Sequence, residues 1–219
     1  MAERNWTVAI DTLKKHVVRV RTPDYSGSGF LVCRSPTSSL CAVATAWHVL
    51  QHAYEWEEPV RLDHKYSGES LLLHPGKVGQ PGIMHISYEQ NDTAAIIFDK
   101  GDFPLPESTI PLIPEGRTAE VGTEIGWMGF PAWPDEVCFF SGRISSYVEG
   151  EGYLVDGVAI NGVSGGPSFF FLAGVPTLLG VVSDYIPNRA TGEVLPGLSL
   201  VRDIVPLHNV ARSLSKEKG

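Results

Sequence analysis

Apolar residues along this chain come in short runs, and almost nowhere at the three-to-four spacing of a long amphipathic helix. Runs rich in Val, Ile, Leu and Phe, broken by Gly, Pro and Asn or Asp, predict strands over Val17–Thr22, Ser28–Arg34, Leu40–Thr45, Val60–Asp63, Ser70–His74, Ile83–Tyr88 and Ala94–Phe98. A second set is predicted over Glu124–Gly129, Val137–Tyr147, Tyr153–Asp156, Ser168–Phe171, Thr177–Ser183 and Gly197–Val201. Between them, "KGDFPLPESTIPLIPEG", residues 100 to 116, carries four prolines and reads as an extended connector. Helical signals are confined to the ends. "NWTVAIDTLKKH" predicts a short first helix with Asn5 as its cap, and "RDIVPLHNVARSLSK" a last one starting near Asp203 or Pro206.

Two groups of about six short strands around one link predict an all-β fold of two six-stranded antiparallel barrels packed together. Closing each sheet removes exposed edges. The expected organisation is a single unit over 1–219: a first barrel to 99, the link over 100–116, a second barrel over 117–203, then a helix and frayed tail over 204–219.

Composition narrows the function classes. At 219 residues with 43% hydrophobic residues, the chain can bury an ordinary core. No apolar run is long enough to cross a membrane, and "MAERNWTVAI" has no secretory-signal pattern. The three cysteines, Cys33, Cys41 and Cys138, are odd in number and favour a reducing, cytoplasmic setting. Cys33 and Cys41 flank the hairpin turn "RSPTSSL" and are expected as buried free thiols rather than a disulfide. A formal charge of −8 argues against a nucleic-acid partner. The basic cluster Lys14, Lys15, His16, Arg19 and Arg21 reads as a solvated helix end and strand face.

One stretch departs from the strand pattern. "INGVSGGPSFFF", residues 160 to 171, sets Ser164 among Gly162, Gly165 and Gly166. "GVSGG" matches the nucleophile elbow of α/β-hydrolases, which would recruit Asp184 or Asp203 and His208 from later in the chain. Pro167 and "SFFF" read as turn and strand where that fold needs a helix, and a parallel α/β pattern is missing. The other reading runs His, Asp, Ser along the chain. "AVATAWHV" ends an apolar strand in His48, and "NDTAAIIF" places Asp92 just before another, so the three groups divide between the halves and would meet where these pack. His48 and His52 stand four apart in "HVLQH", which lacks the Glu of a zinc-peptidase motif and a third ligand, so no metal and no cofactor are expected.

On these residues the chain resembles the trypsin-like serine peptidases of the chymotrypsin fold, closest in style to HtrA-like peptidase domains, over about residues 17 to 205. "GSGFLV", "TAWH", "DTAAII", "NGVSGGP", "LLGVVSDY" and "PGLSLV" follow in the family's order. The resemblance implies a serine endopeptidase acting on protein or peptide substrates. In it His48 is the base, Asp92 its orienting carboxylate and Ser164 the nucleophile, with the N–H groups of Gly162 and Ser164 as the oxyanion hole. Ser183 would support Asp92. Val158, Tyr185 and Gly197 would shape a specificity pocket for small or medium apolar residues. Val163 stands where secreted relatives carry an Asp that pairs with a new N-terminus. Activation by cleavage is therefore not expected, and the site is either preformed or gated by a regulatory protein partner. The alternative is a latent or non-catalytic peptidase fold used as a binding module.

Overall fold

The computed structural model describes residues 5–74, 84–187 and 194–216; of 84–89, 185–187 and 194–196 it describes the backbone. The chain opens with α1 (Trp6–Leu13), whose first turn is capped by the Asn5 side chain accepting from the Val8 N–H at 3.1 Å. Seven strands follow: β1 (Val17–Arg21), β2 (Ser26–Arg34), β3 (Leu40–Thr45), β4 (Val60–His64), β5 (Glu69–Leu73), β6 (Met84–Tyr88) and β7 (Thr93–Asp99). They form one antiparallel sheet in the order β5-β4-β1-β2-β3-β7-β6, rolled as a half-barrel. Among the described residues its edges β5 and β6 do not pair, so the first half carries one strand more than six and is not closed. The second half closes: β8 (Glu124–Gly129), β9 (Cys138–Val148), β10 (Gly152–Asp156), β11 (Pro167–Leu172), β12 (Val175–Pro187) and β13 (Val194–Asp203) make a barrel in the order β10-β13-β12-β11-β8-β9.

An additional helix, α2 (Trp47–Glu55), follows β3 directly. Its buried positions Trp47, Leu50 and Ala53 repeat every three residues and face the interior of the first sheet. Segment 100–116 lies extended, as its prolines predict. The Ile113 N–H donates to the Leu178 carbonyl and the Leu178 N–H to the Pro111 carbonyl, both at 2.8 Å, which lays the segment on β12.

Both faces of the first sheet are covered, and this explains its unbroken apolar runs. In β3 the side chains of Cys41 and Val43 enter one core with Trp47 and Leu50. Those of Ala42 and Ala44 enter the other, shared with Trp127, Phe169 and Val181 of the second barrel. The same alternation separates the cysteines: Cys33 belongs to the shared core, Cys41 to the first, and Ala42 is the strand partner of Cys33. All three cysteines are free thiols. Burial pushes the Cys33 and Cys41 thiols up to about 12.

The terminal helices fasten the halves to each other. Trp6 of α1 packs on Phe139, Phe169 and Phe171 of the second barrel with ring centroids 4.9–5.6 Å apart. The last helix, α3 (Val205–Lys216), leaves the second barrel and lies against β2, β3 and β7 of the first, burying Leu207, Val210 and Leu214. The halves are thus packed together from both ends of the chain, and the candidate site lies on the seam between them.

Candidate functional site

Neighbouring strands bring the first two candidate groups together. Thr45, the last residue of β3, pairs with Ala94 near the start of β7. His48 lies three residues beyond Thr45 in the first turn of α2, and Asp92 lies two residues before Ala94, after a single 3-10 turn at Glu89–Asn91. The contact is tight. His48 Nδ1 is 2.9 Å from Asp92 Oδ2 and 3.1 Å from Oδ1, and the His48 backbone N–H donates to Oδ1 at 2.9 Å. The Trp47 N–H donates to the Asp92 carbonyl at 3.2 Å. Asp92 has φ of 44°, a left-handed backbone that Asp tolerates better than most residues, and this turn aims its carboxylate back at α2. Ser183, buried on β12, donates from Oγ to Asp92 Oδ2 at 2.5 Å, so a residue of the second barrel completes the shell of a carboxylate on the first.

Charges and burial act against each other here. Burial disfavours the His48 imidazolium, but the hydrogen bond and charge of Asp92, and the charge of Asp184 beyond it, outweigh that cost. The ring's pKa is held above the ordinary histidine value. For Asp92 burial favours the neutral acid, and the hydrogen bonds and charge of His48 with the Ser183 hydroxyl outweigh it, holding the carboxyl below its usual range.

Ser164 sits in the loop between β10 and β11, and Ser28 of β2 fixes that loop across the seam. The Ser28 N–H donates to the Ser164 carbonyl at 2.8 Å. Ser28 Oγ donates to the Gly162 carbonyl at 2.7 Å and accepts from the Phe130 N–H at 2.8 Å. Of the N–H groups from 162 to 166, those of Val163, Gly165 and Gly166 are engaged by carbonyls at 2.7–3.0 Å. Those of Gly162 and Ser164 have no acceptor among the described residues. The Asn161 carbonyl accepts from the Ala132 N–H at 2.9 Å, and in a trans peptide this turns the Gly162 N–H the opposite way. Gly162 has φ of 95°, and a Cβ there would lie 2.4 Å from the Phe130 carbonyl. At Gly165, φ 88°, a Cβ would lie 2.1 Å from the Ser28 carbonyl. Glycine is therefore demanded at both positions, at Gly162 by the turn and the Phe130 carbonyl of the same barrel and at Gly165 by the turn and the approach of the first sheet.

His48, Asp92, Ser164 and Ser183 line one cleft of about 560 Å³, with Ala159, Ile160, Asn161, Asp184, Leu200 and Arg202. Among the described residues no hydrogen bond joins Ser164 Oγ to His48. Val158 turns outward, 49% exposed, and its neighbours Ala159 and Ile160 line the cleft instead. The reason is the support beneath them: Ser199 Oγ accepts from the Ala159 N–H and donates to the Gly157 carbonyl, each at 2.8 Å. Gly197, φ 79°, lies behind this loop, where its carbonyl accepts from the Gly157 N–H at 2.7 Å. Tyr185 pairs with Ser199 along the backbone, and its side chain lies outside the described residues. Val163 is fully buried in the shared core and holds its loop by packing.

Of the residues offered by the α/β-hydrolase reading, Asp184 lines the cleft, while His208 and Asp203 are occupied elsewhere. His208 Nε2 bonds the Ile113 carbonyl at 2.9 Å, and Asp203 accepts from Tyr147 Oη and the Val205 N–H, each at 2.9 Å. The sequence reading did not single out Ser28, Asn161 and Arg202, and it named Asp184 only as an acid for the α/β-hydrolase arrangement. The "GSG" around Ser28 was visible as a weak signal, since small residues inside an apolar strand mark a close approach of other backbone.

Comparison with protein-family models finds no match, and none is found in sequence among curated proteins. In structure the chain is similar to the inactive form of the Rv3671c protease of M. tuberculosis: TM-score 0.62 at 17% identity, covering 97% of this chain and 98% of that one. It is also similar to the serine endoprotease from Yersinia pestis, with TM-score 0.67 at 18% identity over 99% of this chain and 69% of that one. What these likenesses share with the present chain is architecture: two packed antiparallel β-sheets in the fold of serine proteases.

Proposed function

We propose that this chain is a serine endopeptidase that cleaves protein substrates through an acyl-enzyme on Ser164. One arrangement carries the reading: a histidine held at backbone and ring by one carboxylate opens on the same cleft as a serine with two unengaged N–H groups beside it. Ser164 Oγ attacks the scissile carbonyl carbon while His48 Nε2 takes its proton. The contact between them closes when substrate fills the cleft, as such contacts often do. Asp92 keeps the other ring proton on Nδ1 and stabilises the imidazolium without taking that proton. The carbonyl oxygen becomes an anion on the Gly162 and Ser164 N–H groups, each such donor lowering the barrier by roughly 3 kcal/mol. His48 then returns the proton to the leaving nitrogen as the C–N bond breaks. Water, deprotonated by His48, releases the acid and restores Ser164.

The test is labelling by a fluorophosphonate probe. The proposal expects Ser164 to be modified, with labelling lost in Ser164→Ala and His48→Ala and kept in His208→Ala. A wild-type chain that is folded yet never labelled would leave the binding module as the better reading.

The short apolar walls, Ala159, Ile160 and Leu200, support cleavage after small or medium apolar residues. Comparing kcat/KM for peptides with Ala, Val, Leu, Phe or Arg before the scissile bond tests this, and a clear preference for Arg refutes it. The Asn161 anchor and the buried Val163 support a site formed without N-terminal processing, so the chain is proposed to label before any cleavage. A reducing, cytoplasmic setting is proposed from the three free thiols.

A further inference from the structure

Behind Asp92 lies a row of polar groups that the chemistry above leaves unused. Ser183 Oγ, 1% exposed as a residue, gives its proton to Asp92. On its far side the Nε–H of Arg202, on the neighbouring strand β13, donates to the same oxygen at 3.5 Å. The Arg202 side chain is 16% exposed, and its Nη1 donates to the Glu151 carboxylate at 2.5 Å and to the Glu151 carbonyl at 3.3 Å. Glu151 belongs to the turn between β9 and β10. The row therefore runs Glu151, Arg202, Ser183, Asp92, His48.

The donor inventory gives this row a direction. A guanidinium has N–H donors and no acceptor, and a hydroxyl has a single proton. With Arg202 donating on one side, Ser183 can only accept there, so its proton is committed to Asp92. We infer that Arg202 is a positioning residue: through Ser183 it fixes the hydroxyl proton on Asp92, and its charge, balanced by Glu151, tunes the basicity of His48. The inference rests on His48 being the general base of the proposed peptidase. The charged groups around that ring are Asp92 from the turn before β7, Asp184 from β12 and Arg202 from β13 through Ser183. On α2 itself His52 follows one turn later, bound by Asp24 and Glu58 at 3.2 and 3.0 Å.

The two ends of the row make opposite predictions. Arg202→Met removes a cation, so the imidazolium is less repelled and the His48 midpoint rises, by about half a pH unit for a partly screened charge at this range. Glu151→Gln leaves the cation uncompensated, and the midpoint falls. Arg202→Lys keeps the charge without the fork, so the midpoint stays while kcat falls several-fold at unchanged KM. The measurement is the His48 ring titration by NMR in the Ser164→Ala protein, followed by kcat/KM against pH in the active one. Equal midpoints in Glu151→Gln and wild type, or movement of both charge-removing variants in one direction, overturns the inference. If Arg202→Met fails to fold, Glu151→Gln and Arg202→Lys decide it. Failure of the peptidase reading shows separately, as a wild-type protein that a fluorophosphonate never labels, and the NMR titration still reports on Arg202.

Discussion

One carboxylate holds His48 twice: Asp92 Oδ1 accepts the His48 backbone N–H at 2.9 Å, and Oδ2 stands 2.9 Å from ring Nδ1. The first bond fixes where α2 begins, and the second fixes which ring nitrogen carries the proton. Asp92→Asn separates these roles. Asn accepts the left-handed backbone and still offers an oxygen to the helix, so the fold is expected to persist with Tm lowered only by the lost charge pair. Its NH2 group would instead donate to Nδ1 and impose the wrong tautomer. kcat should fall by about 10⁴-fold, measured on the best apolar peptide, while the fold persists by circular dichroism.

Activity should rise with pH through a midpoint above the ordinary histidine value of about 6.5, because Asp92 and Asp184 outweigh burial at His48. Asp184→Asn removes one of those anions, so the acid limb of kcat/KM should move to lower pH by a few tenths of a unit. Stability follows by linkage. The raised His48 pKa adds stability that is fully present below the unfolded value and lost as pH rises through the folded one. The lowered Asp92 pKa adds stability present above the unfolded value and lost as pH falls through the folded one. Chemical denaturation across pH, for wild type and Asp92→Asn, measures both limbs.

His48, Asp92 and Ser164 were legible in sequence because each stands where an apolar strand starts or ends, and strand ends are marked by small and turn-forming residues. The alternation of β3 between two cores was not, since the first five positions of "LCAVAT" are all apolar and only the packing of the second barrel distinguishes its faces. Helix α2 was too short for its repeat to stand out. Val158 was assigned to the pocket from the resemblance alone, which does not see the Ser199 support beneath its neighbours Ala159 and Ile160. Ser28 and Arg202 act across barrels or between strands, where no fixed spacing announces a partner.

Gly162→Ala should test the proposed anion site with little effect on substrate binding. The new methyl would meet the Phe130 carbonyl at 2.4 Å in a backbone conformation that L side chains rarely adopt. Relief requires the 161–162 peptide to turn, which removes one donor from the cleft. The expected loss is about 10²–10³-fold in kcat with KM nearly unchanged. A variant that keeps wild-type kcat would place the oxyanion elsewhere.

Ser28→Ala probes how far the seam itself sets activity. Its hydroxyl has no solvent exposure and joins two groups of the second barrel, the Gly162 carbonyl at 2.7 Å and the Phe130 N–H at 2.8 Å. Alanine leaves both without that partner in a dry interface, a loss of about 1–3 kcal/mol. In a chain of this size each kcal/mol lowers Tm by roughly 2–4 °C, which scanning calorimetry resolves. The freed Gly162 carbonyl also loosens the loop that carries Ser164, so kcat should drop together with stability. Asn5→Ala gives the contrast: it removes the α1 cap far from the cleft, at about 1 kcal/mol, and should lower Tm while leaving kcat at the wild-type value. A Ser28→Ala protein that loses stability but keeps full kcat would mean that the Ser28 N–H and the second barrel hold the nucleophile loop without the hydroxyl.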